Sequence, residues 1–235
     1  MSWQYDNANG TLDKQEARNR LARIREGSLS RRTYNFLIGL IVAVSFLFIG
    51  LEYTYLLNNP WVIESLNPVF IIACYIVPFV GIIIMAQANR ERIGLMVVGY
   101  IMTTFTLGFL MAIALTGYDA ASIQRALLIT AVIAISFATL GFVWPQLFNR
   151  IFPICVLALG IMVVVELVML LLDIQAGWND WVIIVIFCGL IGHDFHYAAT
   201  DTPTIANAIW HACDIYLDLG NVFLRVLNIT GRSRD

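Results

Sequence analysis

The stretch that decides the fold is residues 205–228, IANAIWHACDIYLDLGNVFLRVLN. Polar side chains recur in it at alternating spacings of four and three residues, which is the repeat of one helix face, and apolar residues fill the other faces. The polar stripe consists of Asn207, His211, Asp214, Asp218, Asn221, Arg225 and Asn228. An ionised carboxylate near a bilayer midplane costs roughly 2.5 to 3.5 kcal/mol, so this face cannot lie against lipid. We expect the helix to stand inside a ring of other helices or to line water, and intramembrane carboxylates indicate a functional site.

The composition is typical of a polytopic membrane protein, because 60% of the 235 residues are hydrophobic and 13% are charged. Apolar segments, each near the ~20 residues that a spanning helix needs, are predicted at 34–56, 68–88, 93–116, 126–144, 151–172, 181–199 and 205–228. The sequence therefore predicts an all-α fold, a bundle of seven transmembrane helices over residues 34–229 with the seventh in the centre. A polar tail, 1–33, precedes it, and a short tail, 230–235, follows.

Charge distribution predicts the orientation. The first tail is rich in arginine, which places it in the cytoplasm by the positive-inside rule, and Arg90, Arg92 and Arg150 fall on the same side. The outer side then collects acidic residues: Glu52, Glu64, Asp119, Asp173 and Asp180. Seven spans place the C-terminus outside, whereas a re-entrant last segment would return Arg232 and Arg234 to the cytoplasm.

Pro145 and Pro153 are expected to bracket the inner turn between the fourth and fifth helices.

Candidate site residues cluster around the short connection between the sixth and seventh segments. Asp194 lies about ten residues before this turn and Asp214 about ten after it, both ~15 Å deep, with Asp218 one turn further. Asp194 can therefore meet either Asp214 or Asp218. Two carboxylates within hydrogen-bond range in a medium of low dielectric share one proton, so such a pair responds to pH. An interhelical hydrogen bond that merely fixes the packing is the alternative.

Other polar residues lie nearby or elsewhere in the apolar segments. The chain's three histidines, His193, His196 and His211, fall in this same region and would tune or extend a proton pathway. The alternative interpretation is that these histidines form a zinc site with Asp194 and Asp214. Glu166 is expected either against a polar partner or along a pore. Arg125 is a candidate partner for Asp119 or Glu166, and Arg225 is expected to extend to the outer surface.

The end of the chain resembles a known family. Residues 215–227, IYLDLGNVFLRVL, are similar to the "LYLDxxNLFLxLLR" signature of the Bax inhibitor-1 family, and a basic second-to-third connection and an aspartate at the end of helix six agree with it. The resemblance implies six helices around a central seventh and a pair of aspartates that senses pH for a calcium leak; Asp194 and Asp218 match that pair. Arg90, or Asn89, is nearest to an arginine of the second helix that supports the pair in bacterial relatives.

The sequence thus predicts a pH-sensitive leak channel or transporter for calcium or another cation. Asp194 and Asp218 are the gate, and His193, His196, His211, Asp214, Asn221, Glu166 and Arg90 are candidates for the pore or proton path. The second hypothesis is a non-conducting regulator that binds a membrane protease or an apoptosis-type partner, and the third is a zinc-dependent membrane hydrolase. We expect no enzymatic activity, no catalytic residue, no cofactor or resident metal and no nucleic-acid partner. A bacterial inner membrane is favoured over a eukaryotic internal membrane.

Overall fold

The computed structural model describes residues 28–88, 92–172, 174 and 177–231. Its described part is all-helical apart from turns and one isolated bridge. The helices are α1 (Arg31–Asn58), α2 (Pro60–Glu64), α3 (Pro68–Gln87), α4 (Ile93–Leu115), α5 (Ala120–Val143), α6 (Pro145–Leu171), α7 (Trp178–Thr200) and α8 (Ile205–Thr230). Most of the N-terminal tail, Asn89, Arg90, Asp173 and residues 232–235 lie outside the described residues.

Helix α8, which carries the polar stripe, stands in the centre of the bundle. It packs against α1, α4, α5 and α7, while α3 packs on α4 and α6 packs on α7 at the periphery. Apolar residues of α8, such as Ala212 and Val222, are buried, and so are Asn207, His211 and Asp218 of the stripe. A helix with polar and apolar faces both buried needs neighbours on every side, which a central position provides.

Among the described residues, six helices are long and apolar enough to cross a membrane: α1, α3, α4, α5, α6 and α7. The polar stripe makes α8 less apolar, but its 26 residues extend about 39 Å, which exceeds the ~30 Å of a bilayer core. The chain is therefore a polytopic helical membrane protein, integral to the membrane. That α8 is a seventh span remains a prediction.

The bundle has two ends, and α8 runs from one to the other. The turn end carries the α7–α8 connection, where the backbone N–H of Leu29 donates to the carbonyl of Pro203 (2.6 Å) and Ser28 forms an antiparallel bridge with Thr204. At the far end, the Tyr118 hydroxyl, between α4 and α5, donates to Oδ1 of Asn228 (2.9 Å). The described chain thus starts at the turn end and finishes at the far end.

Several helix boundaries differ from the sequence prediction. Helix α5 begins six residues early, at Ala120, because the Asp119 side chain accepts from the N–H of Ser122 (2.6 Å) and caps it. Helix α6 begins at Pro145, a residue suited to a first helical position, and Pro153 lies inside it. The expectation that the two prolines bracket a turn was wrong, and the short helix α2 was not predicted.

Two of the acidic residues that the charge distribution assigns to the outer side lie within helices. Glu52 lies inside α1, and Asp180 lies in the first turn of α7, where it is buried. Helix α7 begins three residues before its predicted limit and therefore includes Asp180, whereas Glu52 lies within both the predicted and the observed first helix.

Glycines allow two pairs of helices to approach closely. A Cβ on Gly81 of α3 would lie 2.5 Å from the carbonyl oxygen of Gly99 in α4. In the same way, a Cβ on Gly141 of α5 would collide with the backbone of Gly192 in α7. Small residues at helix contacts are common in membrane bundles, because packing rather than hydrophobicity holds helices together in lipid. The second contact positions the part of α7 that carries Asp194.

Candidate functional site: a central aspartate pair

Two aspartates from adjacent helices meet inside the bundle. Asp194 belongs to α7 and Asp218 to α8, and the short turn between these helices makes them antiparallel neighbours. Asp218 is 5% exposed and interacts with Asp194 through a side-chain hydrogen bond and through charge. Two carboxyl groups can hydrogen-bond only when one of them carries a proton. The aspartate pair, Asp194 and Asp218, is therefore a contact between two carboxyl groups that depends on a proton.

A third carboxylate, Asp214, lies one helical turn before Asp218 on the stripe. It acts on Asp218 through charge, and its own side chain is 33% exposed. Of the two partners that the sequence left open for Asp194, the structure joins Asp218 to it by a hydrogen bond. Oδ2 of Asp218 is buried without a hydrogen-bond partner among the described residues. The site thus retains a buried oxygen atom without a partner next to the aspartate pair.

His193 and His196 flank Asp194 in different ways. Nδ1 of His193 lies 2.7 Å from Oδ1 of Asp194, within hydrogen-bond distance, and its ring stacks on Phe152 with centroids 3.8 Å apart. Nδ1 of His196 is buried without a hydrogen-bond partner among the described residues. His193 is therefore the histidine that orients the aspartate pair directly.

His211 connects the stripe to the turn end. Its Nε2 lies 2.9 Å from Oδ2 of Asp201, and its Nδ1 lies 4.0 Å from Oδ2 of Asp214. The ring is buried and meets the ring of Tyr197 edge to face at 5.2 Å. Sequence reasoning did not single out Asp201. The sequence could have indicated this contact, because an acidic residue in a short turn between two helices lies close to the first polar residues of the second helix.

The far end of the stripe ends in an ion-pair network. The guanidinium of Arg225 donates to both carboxylate oxygens of Glu166 (2.6 and 2.8 Å) and to Oδ1 of Asp180 (2.9 Å). The Asn179 amide also donates to Glu166 (2.8 Å). Glu166 therefore has a polar partner, which was one of its two predicted roles, and that partner is Arg225 from α8. Arg225 binds these carboxylates within the bundle, 20% exposed, instead of extending free to the surface.

The remaining candidates contribute less to the site. The Asn221 amide donates to the carbonyl of Leu217 in its own helix (2.8 Å). Arg90 lies outside the described residues. Among the described residues, no three His, Cys, Asp or Glu side chains converge as they would around a metal ion. The four cysteines are free thiols.

Fold and site together define a polytopic helical membrane protein with an aspartate pair between its central helix, α8, and the neighbouring α7. A family model described as inhibitor of apoptosis-promoting Bax1 matches residues 26–235, nearly the whole chain. The chain belongs to this family, the Bax inhibitor-1 family. A search of curated proteins finds no match to the chain.

Proposed function

We propose that the protein is a pH-sensitive leak channel or transporter for calcium or another cation, and that the aspartate pair is its gate. The observation that carries the proposal is the hydrogen bond between Asp194 and Asp218, two carboxyl groups on neighbouring helices in the interior of the bundle. Neither carboxyl group is needed for an apolar helix to fold, and both lie where an ionised group is energetically costly. Membership of the Bax inhibitor-1 family supports the same reading.

The chemistry of the pair links proton binding to helix separation. One shared proton lets α7 and α8 pack with a single negative charge between the two carboxyl groups. Loss of that proton leaves two like charges in a medium of low dielectric, which repel each other. Gain of a second proton removes the charge-assisted hydrogen bond. Either change weakens the contact between α7 and α8, so the pair responds to pH.

The neighbouring acids supply a route between the pair and the turn end. Asp214, partly exposed, follows Asp218 along α8, and Asp201 follows through His211. Hard carboxylate oxygens suit calcium. We place the turn end, with Arg31 and Arg32, in the cytoplasm of a bacterium, since basic residues favour that side.

Calcium flux into liposomes that contain only the purified protein tests this proposal. Asp194→Asn and Asp218→Asn should each abolish the pH dependence of the flux, because neither can complete the proton-sharing pair. The double variant should lose no more of the pH dependence of the flux than either single variant, since the two groups act as a unit. Glu64→Gln, a change in the exposed α2, is the matched control and should keep the wild-type pH profile.

Two results would contradict the proposal. If both single variants kept the wild-type profile, the aspartate pair would not be the gate, and attention would pass to His193, His211 and Asp214. If the pure protein conducted no cation at any pH, a non-conducting regulator with a membrane-protein partner would be favoured.

A further inference from the structure

The chain at the start of α1 lies across the connection between α7 and α8, and we call residues 28–31 the strap. The strap pairs with this turn through its backbone. Ser28 forms an antiparallel bridge with Thr204, and the N–H of Leu29 donates to the carbonyl of Pro203 (2.6 Å). A segment that precedes the first long helix is thus bonded to the turn that precedes the last one.

Side chains of the strap add to this contact. The guanidinium of Arg31 donates to the backbone carbonyl of Asp201 (2.6 Å), whose own carboxylate lies 2.9 Å from Nε2 of His211 in α8. The turn is therefore held from α1 on one side and from α8 on the other. The Leu29 side chain packs against a buried apolar cluster that α1, α7 and α8 form together: Tyr34, Ile38, Ala198, Ala208, Ala212 and Ile215.

A cavity of about 370 Å³ separates α1 from α7 and α8 beside the strap. Asn35, near the start of α1, and Ala199, near the end of α7, line it at the turn end. Phe195 and Leu219, which directly follow the two members of the aspartate pair, line it deeper in the bundle. Since the packing between α1 and α7 is incomplete here, the strap ties these helices together where side chains do not fill the space.

We propose that the strap is an autoinhibitory clasp. While it is paired with the turn, it ties α1 to α7 and α8 and keeps the aspartate pair closed; when it separates, α7 and α8 move relative to α1 along the cavity. A few hydrogen bonds near a helix end open without unfolding the bundle, because each contributes little net stability. This inference rests on the proposed function, since the clasp restrains the same gate.

A reversible cross-link between the strap and the turn tests the clasp. The hydrogen bond beside Ser28 and Thr204 makes them an antiparallel pair that is not itself hydrogen-bonded, with Cα atoms about 4.5 Å apart, which suits a disulfide. In the Ser28→Cys/Thr204→Cys variant, oxidation should lower calcium flux into liposomes at least about tenfold at every pH, and reduction should restore it. Wild type and the two single variants are controls, and oxidation should change their flux less than about twofold, because the native thiols are buried or half-buried.

A second variant opens the clasp instead of locking it. Leu29→Pro removes the N–H that is donated to Pro203 and should raise the lowest flux of the pH profile about fivefold, the effect of one lost hydrogen bond on an equilibrium. Leu29→Met keeps the N–H and the apolar contact, so this matched control should change the flux less than about twofold. Amide hydrogen exchange of the full-length protein in dodecyl maltoside micelles gives a readout without conduction. The oxidised cross-link should slow exchange in α7 around Asp194, and Leu29→Pro should speed it.

Several results would overturn the proposal. Failure of the two cysteines to cross-link on oxidation would show that the strap does not lie on the turn. Unchanged flux after cross-linking, or equal flux through Leu29→Pro and Leu29→Met, would show that the strap does not restrain the gate. If the pure protein conducted no cation, the proposed function would fail by itself. Slower exchange around Asp194 in the cross-linked protein would then still support the clasp, and equal exchange before and after reduction would overturn it as well.

Discussion

At the scale of residues, the polar stripe of α8 is explained by the partners that it finds on other elements. Asp218 meets Asp194 of α7, His211 meets Asp201 in the turn, and Arg225 meets Glu166 of α6. Buried polar groups are costly unless they are hydrogen-bonded, and buried charges are costly unless they are paired. The two ends of the stripe therefore fix α8 within the bundle, and its middle brings Asp218 against Asp194.

The ion pairs of Arg225 lead to a prediction about stability. Arg225→Met should lower the free energy of unfolding by about 3 kcal/mol, the low end for a broken buried pair, because Glu166 and Asp180 lose their shared cation. Arg150→Met, at an exposed arginine of α6, is the control and should cost less than about 0.5 kcal/mol. Unfolding in mixed micelles measures the free energy of unfolding of both variants. A variant at position 225 as stable as wild type would show that the network contributes no net stability.

At the scale of elements, glycines set how closely the helices pack. Gly141 and Gly192 bring the backbones of α5 and α7 into contact, two residues from Asp194. The sequence contains no GxxxG motif, and the glycines that meet lie on different helices. No glycine spacing within one segment therefore predicts the contact. The pairing of Gly81 with Gly99 joins α3 to α4 in the same manner. Helix positions are predictable from local composition, but helix contacts of this kind are not.

The α5–α7 contact can be tested with matched glycine substitutions. Gly141→Ala should lower the free energy of unfolding by about 1 to 3 kcal/mol, because its Cβ collides with the backbone of Gly192 and neither side can yield easily. Gly160→Ala in α6 meets nothing within 4 Å and should be neutral or stabilise by up to about 1 kcal/mol. Thermal unfolding in detergent compares them. Equal effects of the two substitutions would mean that the contact between α5 and α7 is loose.

At the scale of the whole molecule, the described chain begins and ends at opposite ends of the bundle. Leu29 is bonded to Pro203 at the turn end, and Asn228 is bonded to Tyr118 at the far end. Helix α8 therefore runs the length of the bundle instead of turning back. This geometry favours seven spans over a re-entrant last segment, although α8 is less apolar than the other six long helices.

Reporter fusions at the two termini test this topology. The N-terminal fusion should report the cytoplasm, because its tail is rich in arginine, and the C-terminal fusion should report the opposite side. A C-terminal fusion to a chain truncated within 201–204 is the control, and it should report the cytoplasmic side. Both full-length fusions on one side would mean that α8 does not cross the membrane.

The sequence by itself determined that this chain is a bundle of apolar helices around a polar one, because the hydrophobicity and the helical repeat that decide this are local properties of each segment. It also singled out Asp194 and Asp218 as candidates, since charge within an apolar segment is visible in the sequence. Only the tertiary structure decided that Arg225 binds Glu166, that Asp201 binds His211 and that both carboxylate oxygens of Glu52 are buried. Those pairings depend on where each helix begins and how it is rotated against its neighbours, and the close glycine contacts that set this packing join residues far apart in the chain.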